Sequence, residues 1–374
     1  MSTLKVNAIR GTGASSDAIS VNATDGTCVV KTTNLPASNL VIGGSMQIAQ
    51  RGTSSTSSGY HTVDRFAVDF NGTDEACTQA QVDVTAGTTP YTKGFRKALK
   101  ITNGNQTGGA GTTDYVRVRH VFEAQNLANS GWDFKSSSSY LTFAFWVKSS
   151  VAQNFYGFFR NSDGTMYQYP FETGSLSADT WTKVTKTIPG NSNLTLNNVN
   201  TAGLELYFHA FQGTAETASG VSLDTWTTYS GTAKMPDNTS TWYTTNDATL
   251  EVTGFQLTVT DYCPDYPHIP YGDELARCQR YYEVLYMSAG TACCYSTGDA
   301  TIKYAHTWYF KQEKRAQASV ALLGNAAFSV SGGSSITLTG IFTSKDHVMF
   351  YYDSGMFRLG DGSQDASVKA ESEL

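Results

Sequence analysis

Short runs that alternate apolar and polar residues, or run apolar, dominate this chain. Tyr115-Val116-Arg117-Val118-Arg119-His120-Val121-Phe122 alternates, and Ala98-Leu99-Lys100-Ile101 is a shorter run of the same kind. Tyr140-Leu141-Thr142-Phe143-Ala144-Phe145-Trp146-Val147 is almost wholly apolar over the same strand-like length. Comparable segments are predicted at 155–159, 181–188, 203–211 and 250–259, bounded by Gly, Asn, Asp and Ser. Asp163-Gly164 reads as a hairpin turn between Phe158 and Tyr167. About eight or more such strands in one stretch predict an all-β fold with a jelly-roll β-sandwich over residues 45–268.

One segment breaks the pattern. In Tyr271-Gly272-Asp273-Glu274-Leu275-Ala276-Arg277-Cys278-Gln279-Arg280-Tyr281-Tyr282-Glu283, the residues Leu275, Cys278, Tyr282 and Leu285 recur at steps of three, four and three, the signature of one helical face. Asp273 and Glu274 suit the positive helix N-terminus, and Asp273 with Arg277 forms an i, i+4 pair. Pro264, Pro267 and Pro270 stiffen the entry to it. The helix predicts a joint, so residues 269–374 read as a linker helix followed by a small β domain with strands at 304–312, 318–322, 327–330, 336–342, 347–352 and 366–371.

Residues 1–44 form a third part, an attachment or oligomerisation arm. Leu4-Val6-Ala8, Ile19-Val21 and Cys28-Val29-Val30 alternate between the turn signals Gly11-Thr12-Gly13 and Asp25-Gly26. A piece this small cannot bury its apolar face alone and is expected to pack on copies of itself or on another protein.

These segments also resemble a known family. The helix segment Pro270 to Glu283 is similar to one that recurs near the C-terminus of phage and prophage tail-fibre and minor tail proteins. Leu40-Val41-Ile42-Gly43-Gly44-Ser45-Met46-Gln47-Ile48-Ala49-Gln50-Arg51-Gly52-Thr53, followed by Tyr60-His61-Thr62-Val63-Asp64-Arg65-Phe66, resembles the opening of the carbohydrate-module-like domain of the same proteins. Gly43 and Ala49 stand where those proteins more often carry Asn and Trp, and Phe66 replaces a Trp. Asp179 to Val184 and Val252 to Leu257 add further matches. The resemblance implies a virion structural protein: a homotrimeric tail fibre or receptor-binding subunit. It would dock on tail or neck proteins through residues 1–44, bind a host surface glycan or protein, and reside in the virion after assembly in the host cytoplasm. A capsid-surface or neck fibre with a purely structural role is the alternative, and a glycan depolymerase the second.

Composition narrows the partners. Charged residues are 16% and aromatics 12% of the chain, with 34 Gly, so packed sheets are expected rather than disorder. The net charge of −6, with no basic run longer than Lys314-Arg315, argues against nucleic acid, and no apolar run is long enough to insert as a membrane helix. The N-terminus lacks the layout of a secretory signal. Six cysteines without C-x-x-C spacing read as buried thiols rather than zinc ligands or a disulfide framework, with a redox role for Cys293-Cys294 as the lesser reading.

The chemistry expected is binding. The chain carries no G-x-S-x-G, H-E-x-x-H or Walker A motif, and its six histidines are scattered, so the expectation is a protein that is not an enzyme, with no metal and no cofactor. Asp64-Arg65, between Val63 and Phe66, is read as a buried structural pair in preference to a catalytic one. Sugars stack their C–H faces on aromatic rings, so aromatics in polar loops are the candidate glycan contacts. Trp226, Trp242 and Tyr243 lead, with Tyr156 and Tyr167 from the loop-like stretch 154–169. Trp146 and Trp181 lie in strand patterns and are assigned to the core.

Overall fold

The computed structural model describes residues 38–287, 295–296, 304–323, 328–330, 335–338, 340–352, 357–359 and 366–374, with residues 6, 8–10, 12, 19–21, 24, 26 and 28–30 of the N-terminal part. Cys293 and Cys294 lie outside the described residues. The first alternations form β1 (Ala8–Ile9), β2 (Ile19–Val21) and β3 (Cys28–Val30), a three-stranded antiparallel sheet.

The body of the chain is a β-sandwich. Its strands are β4 (Ser54–Ser55), β5 (Ala67–Asn71), β6 (Thr78–Asp83), β7 (Lys97–Thr102), β8 (Tyr115–Glu123), β9 (Tyr140–Ser149), β10 (Asn154–Asn161), β11 (Tyr167–Ser175), β12 (Thr182–Pro189), β13 (Ala202–Gln212), β14 (Thr227–Thr228) and β15 (Thr249–Thr258). Short helices α1 (Thr89–Thr92), α2 (Ala124–Ala128) and α3 (Thr241–Thr244) punctuate them. One six-stranded sheet runs β14-β11-β10-β13-β8-β5 and the other β12-β9-β15-β7-β6-β4. The polar β6, reading TQAQVD, and β11, whose first three residues fall in the loop-like stretch 154–169, are strands that the apolar pattern misses.

Aromatic rings join the two sheets. Phe143 and Phe145 of β9 meet Phe159 of β10 and Phe208 of β13 at 5.0 and 4.9 Å between ring centroids, and Phe255 stacks on Phe145 at 4.8 Å. Each such pair adds about 0.5–1.5 kcal/mol beyond the burial of its area. Because side chains alternate along a strand, Leu141, Phe143, Phe145 and Val147 enter this core while Trp146 and Lys148 stand on the opposite face.

The sandwich begins before residue 45. Val41 and Met46 belong to its core, Leu40 N donates to Leu257 O at 2.9 Å, and Asn39 Nδ2 donates to Phe255 O at 3.1 Å. Residues 39–44 are therefore part of the sandwich and not of the arm.

Helix α4 (Tyr271–Gln279) packs onto the sandwich. Cys278 is buried and Leu275 half-buried against Ile42, Ile48 and Tyr281, as the apolar spacing predicts. Glu274 accepts from Gly43 N, and Arg277 reaches Glu274 at 3.5 Å and Asn39 O at 3.1 Å in place of the expected Asp273 partner. Tyr282 is not helical. The helix stops at Gln279, and Tyr282 opens β16 (Tyr282–Met287), opposite Glu371.

The C-terminal unit continues with β17 (Tyr295–Ser296), β18 (Tyr304–Tyr309), β19 (Ser319–Leu323), β20 (Phe328–Val330), β21 (Ser335–Ile336), β22 (Gly340–Thr343), β23 (His347–Tyr352), β24 (Phe357–Leu359) and β25 (Ala366–Glu371). They form the sheets β16-β25-β19, β17-β18-β23-β22 and β21-β20-β24 around Trp308, Phe328, Val348 and Phe350.

Asp64 and Arg65 are both buried, yet they do not pair with each other. Asp64 accepts from Gln50 N at 3.0 Å and lies 3.8 Å from Arg51; burial pushes its carboxyl up to about 6. Arg65, at φ +70°, pairs with Glu373, donates to Val121 O at 2.6 Å, and places its guanidinium 3.5 Å from the centre of the Tyr281 ring. Removing one partner of such a buried pair strands the other charge, so Arg65→Ala is expected to cost about 3–5 kcal/mol. Urea unfolding reads this directly, with Lys97→Ala as control: the exposed Lys97–Asp83 bridge at 2.6 Å is expected to matter by less than about 1 kcal/mol.

Candidate functional site

The aromatic residues expected in exposed loops are structural. Trp242 and Tyr243 have no exposure at all and Trp226 only 9%. Trp242 sits in α3, where its Nε1 donates to Thr249 O at 3.1 Å and its backbone N to Gln153 Oε1 at 2.9 Å. Tyr243 stacks on Phe211 at 4.6 Å and donates its hydroxyl to Asp114 at 3.1 Å. Trp226 packs on Tyr169 and donates to Pro189 O at 2.7 Å. Tyr156 is half-buried beside Phe158, Tyr207 and Met235, and Tyr167 packs on the main core. Burial removes Trp226, Trp242 and Tyr243 from ligand contact, and the expectation of glycan stacking at these three positions is withdrawn.

The opposite error uncovers the site. Trp146 and Trp181, assigned to the core, are only half-buried and lie on the outer face of the β12-β9-β15-β7-β6-β4 sheet. In register, Trp146 stands opposite Lys183 of β12 and Thr253 of β15. Lys148 lies 5.2 Å from the centre of the Trp181 ring and bridges Glu251 at 3.0 Å. With Tyr91, Phe95 and Tyr266, the two tryptophans form an aromatic cluster outside the sandwich core.

A groove of about 550 Å³ opens over this cluster. Its floor is Trp146, Lys183, Gly254 and Gln256; one wall is the turn Thr92–Phe95 after α1, the other the strap that carries Asp265, Tyr266 and His268. The walls meet at one end, where His268 Nε2 lies 2.8 Å from Lys93 O and Phe95 packs edge-on against Tyr266 at 4.8 Å. Gln256 holds the strap by donating to Pro264 O at 3.1 Å. A β-bulge in β15 between Thr253 and Gln256 shapes the floor, and Gly254 occupies it at φ +68°, where a Cβ would come within 2.7 Å of the Phe95 ring. Burial and the Glu274 charge both hold the Tyr266 hydroxyl in its neutral form, a hydrogen-bonding group.

Chemically the groove offers flat rings flanked by an amide, a carboxylate, an imidazole and ammonium groups, the mixture that suits a polar ligand with an apolar face. A larger cleft of about 700 Å³ lies among Asn39, Gln125, Asn126, Asn129 and Arg277, but no aromatic ring lines it. Among the described residues no group of three or more metal-ligating side chains converges.

No protein-family model matches the chain, and a search of curated proteins finds no match. Solved structures do resemble it. One is the enzymatically active domain of tailspike protein 4 of bacteriophage CBA120, at 8% identity and TM-score 0.31, over 59% of this chain and 21% of that one. Another is a family 11 carbohydrate-binding module from Clostridium thermocellum in complex with a mixed-linked tetrasaccharide, at 11% identity and TM-score 0.25, over 55% of this chain and 95% of that one. A third is an exo-β-agarase, at 9% identity and TM-score 0.29, over 61% of this chain and 25% of that one. The chain spans about a fifth of the tailspike structure it matches. At these identities the likeness concerns the β fold. The expectation that the protein is not an enzyme is nonetheless corrected: two of these structures are an enzymatically active domain and an agarase, so catalysis is not set aside for this chain.

The exchange of roles between tryptophans is open to measurement. Trp242→Ala is expected to cost about 3–5 kcal/mol, as for a core Trp, and Trp146→Ala well under half of that. Chemical unfolding of the two variants checks the order, and equal losses would remove Trp146 from the groove surface.

Proposed function

We propose that this chain is a tail-fibre or receptor-binding subunit of a tailed phage, and that its sandwich holds a host surface glycan in the Trp146 groove. One observation carries the reading: a half-buried tryptophan, Trp146, on the outer face of a β-sandwich, forming the floor of a groove with polar walls. A side chain that contributed only to the core would gain by facing inward, as Trp242 does, whereas a ring left at the surface beside polar groups is suited to stacking on a sugar. The sequence resemblance to phage tail proteins supports the virion role, and the structural likenesses name a tailspike domain and a carbohydrate-binding module.

In this reading the sheet β1-β2-β3 belongs to an attachment arm whose residues pack between copies of the chain, in a homotrimer that docks on tail or neck proteins. Light scattering of the purified protein is expected to give the mass of a trimer; a monomer at micromolar concentration would remove this part of the proposal.

Binding tests the groove itself. Trp146→Ala is expected to lower retention of the protein on host-cell polysaccharide about two- to tenfold, the loss of one stacking platform, while its melting temperature stays close to that of the unsubstituted protein. Unchanged retention would sink the assignment of the groove.

A further inference from the structure

Resting on that reading, we infer that the glycan held in the Trp146 groove is anionic, a polysaccharide carrying carboxylate, sulfate or phosphate groups. The chain as a whole has a net charge of −6, but the groove and the sheet face beside it carry the opposite sign. Lys183 stands directly across from Trp146, Lys93 lines the wall, and Lys148 and Lys100 continue the same outer face on either side of Glu251. Against these four cations stand two carboxylates, Glu251 and Asp265.

The pairing of these charges sharpens the point. Glu251 is engaged by Lys148 at 3.0 Å, and Lys148 lies 5.2 Å from the centre of the Trp181 ring, so this ion pair is held within the sheet face. Lys93, Lys100 and Lys183 make no ion pair with any described residue, and Lys93 and Lys183 are exposed. Lys97 and Lys186, by contrast, are paired with Asp83 at 2.6 Å and Asp224 at 3.2 Å, while the exposed lysines without an ion pair away from the groove, Lys135, Lys311 and Lys345, line neither the groove nor its aromatic floor. Uncompensated cations next to an aromatic floor complement the anionic groups and C–H face of an acidic sugar. Its C–H face meets the ring, its hydroxyls meet Asp265 and His268, and its charged substituents meet Lys183 and Lys93. In an acidic protein, such a local field also steers an anionic polymer toward the groove in preference to the rest of the surface.

The test uses the full chain and two sets of immobilised polysaccharides: polygalacturonate, alginate and hyaluronate as the acidic set, and dextran, laminarin and mixed-linkage glucan as the neutral set. Retention on a member of the acidic set and on none of the neutral set is expected. It should weaken about tenfold in the double variant Lys93→Gln, Lys183→Gln, and weaken further as salt shortens the screening length from about 10 Å toward 3 Å. Melting temperature confirms that each variant is folded. Equal or stronger retention on the neutral set overturns the anionic inference and leaves the groove reading standing. Acidic retention that Trp146→Ala abolishes but the lysine pair does not alter overturns the role of the lysines. Retention on no member of either set overturns this inference together with the groove reading beneath it.

Discussion

The Arg65 guanidinium is the point on which the two parts of the molecule depend. It is buried at the rim of the sandwich, at a residue whose backbone lies in the left-handed region, and it joins Val121 of the sandwich, the Tyr281 ring after the linker helix and Glu373 near the end of the chain. Around it, Arg51 bridges Glu371 and Glu373 at 3.2 and 3.1 Å, and Arg280 grips Glu123 with two bonds of 2.8 and 3.0 Å. Taking so many charges out of water is unfavourable unless each finds its partner in good geometry. That demand fixes the helix, β16 and the last residues against the sandwich in one arrangement, and a purely apolar contact would tolerate sliding.

A second constraint is parity along a strand, and it decides where chemistry can sit. In β9 the residues of one parity fill the core and those of the other reach the outer sheet face, so a single strand supplies both Phe145 for packing and Trp146 for the groove. The β15 bulge at Gly254 interrupts the same rule locally. It leaves room for Phe95 to pack over the strand where any side chain would collide, and Phe95 in turn anchors the strap through Tyr266 and His268. The groove is therefore a product of backbone irregularity as much as of aromatic composition.

Most of the fold was legible in the chain because strand signals are local. The runs that became β7, β8, β9, β10, β12, β13 and β15, and the spacing that placed Leu275 and Cys278 on the buried side of α4, need only a few neighbouring residues to be read. The site was less legible for two physical reasons. In 140–147 nearly every residue is apolar, so composition cannot tell the core parity from the outer one, and Trp146 was given the wrong face. Conversely, Trp226 and Trp242 have polar neighbours in sequence but are buried, with hydrogen bonds to residues far along the chain, from Trp226 Nε1 to Pro189 O and from Trp242 N to Gln153 Oε1. Likewise the start of β11, Tyr167 to Tyr169, lies in a stretch that reads as a loop until the pairing with β10 satisfies its backbone. Tyr282 kept the helical spacing yet joined a strand, since its pairing with Glu371 lies about ninety residues away and leaves no local trace.

The return of the chain to its point of departure has a further consequence. Tyr281 O accepts from Ser372 N at 2.7 Å, β16 and β25 lie side by side, and Leu374 O accepts from Arg119 at 3.2 Å, so the start and the end of the segment beyond the helix meet at one place on the sandwich, where Arg315 also donates to Asn200 O at 2.9 Å. A segment clamped at its base in this way is a cassette. Its length and sequence can change while the clamp stays the same, because the entropy of closing a longer loop rises by only about 0.6 kcal/mol for each doubling.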